Sequence, residues 1–267
     1  MNLLARLALA VALLAVALGG LVLVFQRRLL YFPARTTAPA AAALADRLGL
    51  RPWSDAAGEV RGWTAPLAGA PRARLLVLHG NAGSALDRAF YAAALAPRGL
   101  EVSLLEYPGY GARAGAPSEA TLTAAALEAV DALAAAGPEP IWLLGESLGS
   151  GVASRAARLR PGRVAGLILV TPFARLAEVA HHHYPVLPGF LLRDRWAPRD
   201  DLAGFRGPVA VLIAGRDEVV TPGQGRALLD VPGGPRRGWE QPRAGHNSLD
   251  LRPGWAGWDE IVAFVGH

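Results

Sequence analysis

The chain of 267 residues contains no cysteine and no lysine. The absence of cysteine excludes a disulfide framework, a thiolate metal site and a cysteine nucleophile, and it leaves the redox compartment undecided. Without lysine, all 27 basic side chains are arginines, and they occur singly or in pairs. A net charge of +5 that is spread in this way does not indicate a nucleic-acid-binding surface, so no nucleic-acid partner is expected.

Charge is scarce in general. Charged residues make up 18% of the chain, whereas hydrophobic residues make up 52%. This composition excludes a disordered chain and provides enough apolar material for a buried sheet. The length fits one domain plus a short additional segment.

An uncharged apolar segment of 19 residues runs from Leu7 to Phe25. As a helix it would approach the ~30 Å thickness of a bilayer's hydrocarbon core. A cleavable signal peptide is the alternative, because Ala15-Val16-Ala17 resembles a small-residue cleavage site. Cleavage there would leave an apolar stub, so the sequence favours a retained signal-anchor, a single-pass transmembrane helix within residues 1–27. Arginines flank it on both sides and leave the orientation open.

The rest of the chain, residues 28–267, alternates short apolar runs with longer helical patterns. Largely apolar runs of four to six residues are typical of strands that are covered on both faces. The alternation therefore predicts an α/β domain with a mostly parallel sheet and helices on both faces. The predicted strands are Arg74–Leu78, Val102–Glu106, Ile141–Leu144, Gly166–Val170 and Val209–Ala214, and the predicted helices are Ser84–Leu95, Ser118–Ala136, Ser147–Leu159 and Pro222–Leu229.

A long segment interrupts this alternation between Val170 and Val209. It is rich in proline and aromatics and is too long for a plain connection, so we expect a lid insertion at about residues 172–206. Its three adjacent histidines, His181 to His183, would point in different directions, and no metal site is expected there. Its apolar residues are candidates for lining an acyl pocket or, alternatively, for covering the core. They are Val186, Leu187, Phe190, Leu191 and Leu192.

The motif G-x-S-x-G occurs at residues 145–149, with Ser147 at its centre. A predicted strand precedes it and a predicted helix follows it, which is the context of a nucleophile elbow. Such a sharp turn tolerates only small residues two positions before and after the serine, and Gly145 and Gly149 meet that need. We therefore expect Ser147 to be a nucleophile rather than a simple helix cap.

A serine nucleophile needs a base and an acid that orients the base. Among the six histidines, His246 lies in a Gly/Asn-containing turn near the C-terminus and is the expected base. Asp217 follows a predicted core strand directly and is the expected acid. The chain order Ser147, Asp217, His246 is that of α/β-hydrolases and differs from the order in chymotrypsin and subtilisin.

The oxyanion of the tetrahedral intermediate needs two donors. We expect one to be the backbone N–H of Leu148, which follows the nucleophile. The second is expected in the loop His79-Gly80-Asn81-Ala82-Gly83, at the N–H of Asn81 or alternatively of Ala82. This loop lacks the G-x-G-x-x-G spacing and the Gly-Lys-Ser/Thr ending of phosphate-binding loops, so a nucleotide cofactor is not indicated.

Together these motifs resemble the Bem46-like alpha/beta-hydrolase domain family, whose members include membrane-anchored serine hydrolases. The resemblance extends from about Arg28 to the C-terminus. It is carried by residues 79–83, 107–111, 145–150, 184–188, 191–194 and 245–247, by the joint at residues 28–33 and by Asp217. It implies an α/β-hydrolase fold with an eight-stranded core, a triad of Ser147, Asp217 and His246, and no cofactor. Glu106 and Ser248 depart from it, because an aspartate is commoner at each position.

We expect a serine hydrolase that cleaves carboxylic ester or thioester bonds in lipid-like or acylated small molecules through an acyl-enzyme intermediate. A serine peptidase of the same fold is an alternative within the enzyme class. A catalytically silent, membrane-bound interaction module is an alternative outside it. The sequence leaves the acyl chain length and the oligomeric state open.

Overall fold

A computed structural model describes residues 3–185 and 188–267 of the chain. In the described part the strands are Phe32–Pro33 (β1), Arg51–Ser54 (β2), Val60–Thr64 (β3), Ala73–Leu78 (β4), Ala82–Gly83 (β5), Leu100–Leu105 (β6), Ile141–Glu146 (β7), Val164–Val170 (β8), Val209–Ala214 (β9) and Arg236–Gln241 (β10). The helices are Leu3–Leu30 (α1), Ala38–Arg47 (α2), Ala89–Leu95 (α3), Glu119–Ala136 (α4), Leu148–Leu159 (α5), Leu176–His183 (α6), Pro198–Asp201 (α7), Pro222–Arg226 (α8) and Gly257–Val265 (α9).

Eight strands form one sheet in the order β10-β9-β8-β7-β4-β6-β3-β2. All neighbours from β10 to β6 pair in parallel, whereas β3 pairs antiparallel with β6 and with β2. The mostly parallel sheet predicted from the sequence is thus confirmed, as is the eight-stranded core that the family resemblance implied. The carboxyl ends of β4, β7, β8 and β9 lie at one edge, which is where parallel α/β sheets bind their ligands.

The five central strands are confirmed at their predicted places, to within two residues at each end. The strands β2, β3 and β10 were missed because they lie near or at the edges and lack an apolar run. In β10, Arg236–Gln241, every side chain is at least partly exposed. The predicted helix Ser84–Leu95 is divided into a 3₁₀ turn, Ala85–Arg88, and the helix α3.

The sheet separates two hydrophobic clusters. Alternate residues of β4 point to opposite faces, so that Leu76 and Leu78 join one cluster while Leu75 and Val77 join the other. The first cluster includes residues of α4 and α5, and the second includes residues of α2, α3 and α9. Helices therefore cover both faces, as the apolar runs of the central strands predicted.

The N-terminal segment forms α1, which continues to Leu30. Within residues 3–185 and 188–267, no helix is both long and apolar enough to traverse a bilayer. The single-pass transmembrane helix predicted within residues 1–27 is therefore not supported. The last turns of α1 bear polar side chains that bind protein groups: Gln26 donates to the carbonyl of Leu191 and accepts from the N–H of Arg193.

An ion pair between a partly exposed arginine and a buried aspartate joins the end of α1 to the lid segment, residues 172–206. The Arg27 guanidinium donates to both Asp194 carboxylate oxygens, at 3.1 and 2.9 Å, and the Tyr31 hydroxyl donates to Oδ2 at 3.0 Å. The indole N–H of Trp196 in turn donates to the Tyr31 hydroxyl at 3.3 Å. Because the Asp194 side chain is only 3% exposed, its charge depends on these donors.

The same segment contains α6, a 3₁₀ turn at Gly189–Leu191, and α7. Of the proposed acyl-pocket residues, Val186 and Leu187 lie outside the described residues. Phe190 is 73% exposed, and Leu191 and Leu192 are partly buried. The lid role and its bounds remain predictions.

Replacing Asp194 by asparagine should destabilise the protein by about 1–3 kcal/mol, because Arg27 and Tyr31 lose a buried charged acceptor. Chemical denaturation in detergent measures this change. Asp200→Asn is the matched control: Asp200 pairs with Arg175, but its side chain is 57% exposed, and a change below about 0.5 kcal/mol is expected. Equal effects of the two substitutions would contradict the structural role assigned to Asp194.

Candidate active site

Ser147 occupies the turn between β7 and α5. Its backbone has φ 50° and ψ −113°, a conformation that non-glycine residues rarely adopt. Hydrogen bonds hold it on both sides: its N–H donates to the carbonyl of Val170 at 2.8 Å, and its carbonyl accepts from the N–H and the hydroxyl of Ser150. The side chain of Ser147 is therefore presented at the carboxyl edge of the sheet, at the N-terminus of a helix.

The two glycines of the motif are required by close backbone contacts. A Cβ on Gly145 would lie 2.5 Å from the carbonyl oxygen of Gly149, and one on Gly149 would lie 1.9 Å from that of Leu78. Since backbone atoms cannot swing aside, neither position admits a side chain. The elbow predicted from the motif has the geometry that its glycines suggested.

Three predicted residues from separate parts of the chain form one hydrogen-bonded row. His246 Nε2 lies 3.0 Å from Ser147 Oγ, and His246 Nδ1 lies 2.6 Å from Asp217 Oδ2. The Asp217 side chain is 2% exposed and that of His246 is 12% exposed. A hydroxyl, an imidazole and a buried carboxylate in this order are able to transfer the hydroxyl proton to the imidazole.

Turns at two strand ends position the imidazole and the carboxylate. Asp217 follows β9, and its Oδ1 accepts from the N–H groups of Val219 and Val220 at 2.9 and 2.8 Å. His246 follows β10, in a turn where Ser248 Oγ accepts from the N–H of Gly245 at 2.8 Å. Ser248, where the family pattern has an aspartate more often, thus still supplies an acceptor that holds the turn bearing His246.

The two predicted oxyanion donors lie in fixed peptide groups. The Gly80 carbonyl, in the peptide that bears the Asn81 N–H, lies 2.8 Å from His79 Nδ1, and the Ser147 carbonyl, in the peptide that bears the Leu148 N–H, accepts from Ser150. The carbonyl of Asn81 accepts from the N–H of Phe32 and from the Tyr110 hydroxyl, and its side-chain amide donates to the carbonyl of Leu30. In the described part of the chain, no hydrogen bond uses the backbone N–H of Asn81 or of Leu148. Ala82, the alternative donor, belongs to β5 and pairs with Phe32.

A partly buried ionic network next to the nucleophile was missed by the sequence analysis. Glu146, next to Ser147, accepts from Arg88 Nη2 at 2.7 Å and from the Tyr91 hydroxyl at 3.0 Å. Arg88 ends the 3₁₀ turn after the glycine-rich loop, so the network ties that loop to the elbow. No local signal marks Arg88 among 27 arginines.

The other histidines and aspartates that the sequence offered lie elsewhere. His79 is 1% exposed, and burial, aided by the positive charge of Arg88, lowers its pKa to about 3, so it is neutral. His181 to His183 are on the exposed surface of α6. Across residues 3–185 and 188–267, no group of histidine, aspartate and glutamate side chains is arranged to hold a metal ion. Arginines pair with Asp194, Asp200, Asp201 and Asp250.

Glu106, the first departure from the family pattern, is buried at the end of β6. Its Oε1 accepts from the N–H of Ala85 at 3.0 Å, and its Oε2 would lie 2.3 Å from a Cβ on Gly111. The carboxyl group thus braces the loop at residues 107–111 against the 3₁₀ turn. Burial raises its pKa to about 7, although the bond from Ala85 opposes this shift.

This raised pKa predicts a stability that falls as the pH rises. The folded protein retains a proton on Glu106 that the unfolded chain releases near its ordinary pKa of 4.5, so stability is lost between about pH 4.5 and 7 and is constant above that. Between about pH 5 and 8 the free energy of unfolding of the wild type should fall by roughly 2–3 kcal/mol through Glu106, and in Glu106→Gln this part of the fall should be absent. Chemical denaturation at a series of pH values measures the difference. The exposed Glu59→Gln is the control and should follow the wild-type curve. A Glu106→Gln curve parallel to the wild type would contradict the prediction.

Comparison with known proteins places residues 73–214 in a family described as "alpha/beta hydrolase fold". Two solved structures share the architecture: a monoacylglycerol lipase of Paleococcus ferrophilus (TM-score 0.55, 19% identity, 76% of this chain and 97% of that one) and the type II thioesterase BorB from the borrelidin biosynthetic cluster (TM-score 0.56, 23% identity, 82% and 96%). At these identities the likeness concerns the fold.

Two curated proteins are similar in sequence. The uncharacterized protein Rv2307c of Mycobacterium tuberculosis is 36% identical over 269 residues, which cover 96% of this chain and 93% of that protein. The mouse lysophosphatidylserine lipase ABHD12 is 31% identical over 199 residues, which cover 67% of this chain and 50% of the lipase. The chain belongs to the alpha/beta-hydrolase fold family and is, as the motifs predicted, an enzyme of the serine-hydrolase class.

Proposed function

We propose that this protein hydrolyses carboxylic ester bonds of single-chain lipids, with Ser147 as nucleophile, His246 as general base and acid, and Asp217 as the group that orients His246. The observation that carries the proposal is the hydrogen-bonded row of the three side chains, with distances of 3.0 and 2.6 Å. The other aspartates that the sequence offered as candidates each form an ion pair with an arginine, whereas Asp217 pairs with His246. The arginine-paired aspartates are Asp194, Asp200, Asp201 and Asp250.

In the first half of the reaction, the Ser147 oxygen attacks the ester carbonyl while its proton passes to His246 Nε2. The carbonyl oxygen becomes an oxyanion, and the buried Asp217 carboxylate stabilises the imidazolium that forms. When the tetrahedral intermediate collapses, the C–O bond to the alcohol breaks and His246 returns the proton to the leaving oxygen. Water, deprotonated by His246, then attacks the acyl-enzyme. The C–O bond to Ser147 breaks, His246 returns the proton to Ser147 Oγ, and the carboxylic acid is released.

The backbone N–H groups of Leu148 and Asn81 would stabilise the oxyanion. Both lack another acceptor in the described residues, so no hydrogen bond must break before they bind the oxyanion. The peptide group that bears the Asn81 N–H is held through the Gly80 carbonyl, which lies 2.8 Å from His79 Nδ1. The one that bears the Leu148 N–H is held through the Ser147 carbonyl, which accepts from the N–H and the hydroxyl of Ser150. The N-terminus of α5 adds a positive dipole end beside the developing charge.

The substrate class is inferred from the relative and from the lid segment. A curated relative is named for its action on lysophosphatidylserine, an ester lipid with one acyl chain. In the lid segment, Phe190 is exposed and Leu191 and Leu192 are partly exposed, which suits contact with an acyl chain. A thioester with a similar chain would pass through the same steps.

Contact with a lipid surface through α1 is a further part of this proposal. Most of its described apolar side chains are exposed, from Leu3 and Leu4, at 73% and 79%, to Leu29, at 66%. So many exposed leucines and valines on one helix are unusual for a surface in water and are typical of lipid contact.

Replacing Ser147 by alanine should lower the rate of hydrolysis of p-nitrophenyl esters and of a monoacyl phospholipid on the order of 10⁴-fold or more. The double variant Ser147→Ala, His246→Ala should be no slower than either single variant, because residues that act as one unit lose their effect together. Ser154→Ala is the matched control and should retain activity. Ser154 is a buried serine on α5, the helix that follows Ser147, and its hydroxyl has no partner in the described residues. Full activity of Ser147→Ala would refute the nucleophile.

The lipid contact of α1 predicts that the protein stays with membranes after a carbonate wash. Carbonate removes proteins that are held by charge alone, whereas apolar burial resists it. Immunoblotting of the pellet and supernatant measures the distribution. Release of most of the protein into the supernatant would contradict the lipid contact and would leave the esterase proposal untouched.

A further inference from the structure

An open basin of about 700 Å³ lies beside the end of α1 and is separate from Ser147. Its charged lining consists of arginines and two carboxylates, and its apolar lining consists of alanine and leucine side chains of α4. The basin is lined by Arg27, Glu119, Ala120, Thr123, Ala124, Leu127, Arg155, Arg193, Asp194 and Arg195. A cationic lining beside an apolar one fits a ligand that is anionic at one end and apolar next to it.

The charge of the basin is positive in sum. Four arginines and two carboxylates line it, which leaves an excess of two positive charges. Both carboxylates are already engaged: Asp194 accepts from Arg27 and Tyr31, and Glu119 accepts from Arg155 at 2.8 Å and from the backbone N–H of Arg195. The excess therefore resides on the side chains of Arg193 and Arg195.

The guanidinium groups of Arg193 and Arg195 have no carboxylate partner in the described part of the chain. That of Arg195 is nevertheless held in place, since its Nε donates to the carbonyl of Leu192 at 2.9 Å and its Nη2 to that of Phe190 at 2.7 Å. A guanidinium has five N–H donors, so about three remain for an anion. An ordered cation with free donors is well suited to phosphate oxygens.

The surroundings of the basin indicate where such an anion would come from. The apolar surface of α1 ends beside it, and Arg28, also exposed, lies at the same end. On α1 and just after it, Phe25, Leu29 and Phe32 are exposed, at 37%, 66% and 51%, and Phe190, whose carbonyl accepts from Arg195, is 73% exposed. Aromatic and aliphatic side chains around arginines, at the end of an apolar helix, are typical of protein surfaces at the boundary between lipid tails and headgroups.

We propose that Arg193 and Arg195 form a headgroup site for an anionic phospholipid of the membrane, with the phosphate on the two guanidinium groups and the start of an acyl chain over Leu127 and Ala124. This inference deepens the lipid contact proposed for α1. It adds a preference for negatively charged lipids, which apolar contact alone does not provide, and it involves no residue of the catalytic row.

The test measures lipid selectivity directly. The full chain with Ser147→Ala, which cannot consume the lipid by the proposed mechanism, is purified in detergent and incubated with equal amounts of phosphatidylglycerol and phosphatidylcholine of matched acyl chains. Gel filtration re-isolates the protein, and mass spectrometry quantifies both retained lipids. We expect phosphatidylglycerol to be enriched, and we expect Arg193→Gln with Arg195→Gln to lower the enrichment by about 10- to 30-fold, from roughly 1 kcal/mol for each arginine near anionic lipid.

A matched charge control is Arg163→Gln with Arg206→Gln. It removes two exposed arginines that precede the amino ends of β8 and β9 and do not line the basin. It should keep the enrichment. Unchanged selectivity in the Arg193, Arg195 variant, an equal loss in the control, or no enrichment in the parent would each overturn the proposal. Displacement of the lipid by about 10 mM inorganic phosphate at fixed ionic strength would indicate a free-phosphate site and would also overturn it. Because no activity is measured, failure of the esterase proposal would not alter these results.

Discussion

The helix α5 passes so close to the end of β4 that position 149 has no room for a side chain: a Cβ there would lie 1.9 Å from the carbonyl oxygen of Leu78. This approach brings the carbonyls of Leu78 and His79, where the loop after β4 begins, against the first turn of α5, next to Ser147. It also forces the chain to turn sharply, and Ser147 takes φ 50° as a result. Residues on neighbouring strand ends then complete the site, because Asp217 follows β9 and His246 follows β10. The backbone contact thus fixes the turn that bears the Ser147 hydroxyl, and His246 reaches this hydroxyl from the turn after β10.

The parts of this arrangement that depend on local sequence were predictable. A strand buried on both faces needs an unbroken apolar run, so the five central strands were evident. A strained elbow needs small residues at fixed offsets, which made Gly145 and Gly149 informative. Because parallel strands place their carboxyl ends at one edge, the position of Asp217 after a strand predicted its nearness to Ser147. The structure brings Ser147, His246 and Asp217 together as that reasoning required, while their catalytic roles remain a proposal.

The remainder depends on contacts between distant residues, for which the sequence has no local sign. Arg88 and Glu146 are 58 positions apart, and Arg27 and Asp194 are 167 apart. With 27 arginines and 22 carboxylates in the chain, composition cannot assign the pairs. The edge strand β10 was missed because its side chains are polar and partly exposed, and its pairing with β9 comes from backbone hydrogen bonds. The N-terminal segment was interpreted from apolarity alone, which could not show that Gln26 and Arg27 bind the lid segment.

The ion pair between Arg27 and Asp194 means that α1 is not an interchangeable tag. A shortened protein that begins after the helix, the usual route to a soluble catalytic domain, would leave a nearly inaccessible carboxylate without its cation. Removal of Tyr31 as well would take away the hydroxyl that receives the Trp196 indole N–H. Such a protein would be compromised beside α5, the helix that begins at the nucleophile turn, even though every catalytic residue was present. A sound truncation would either start before Arg27 or replace Asp194 at the same time, with a neutral residue suited to an apolar surrounding.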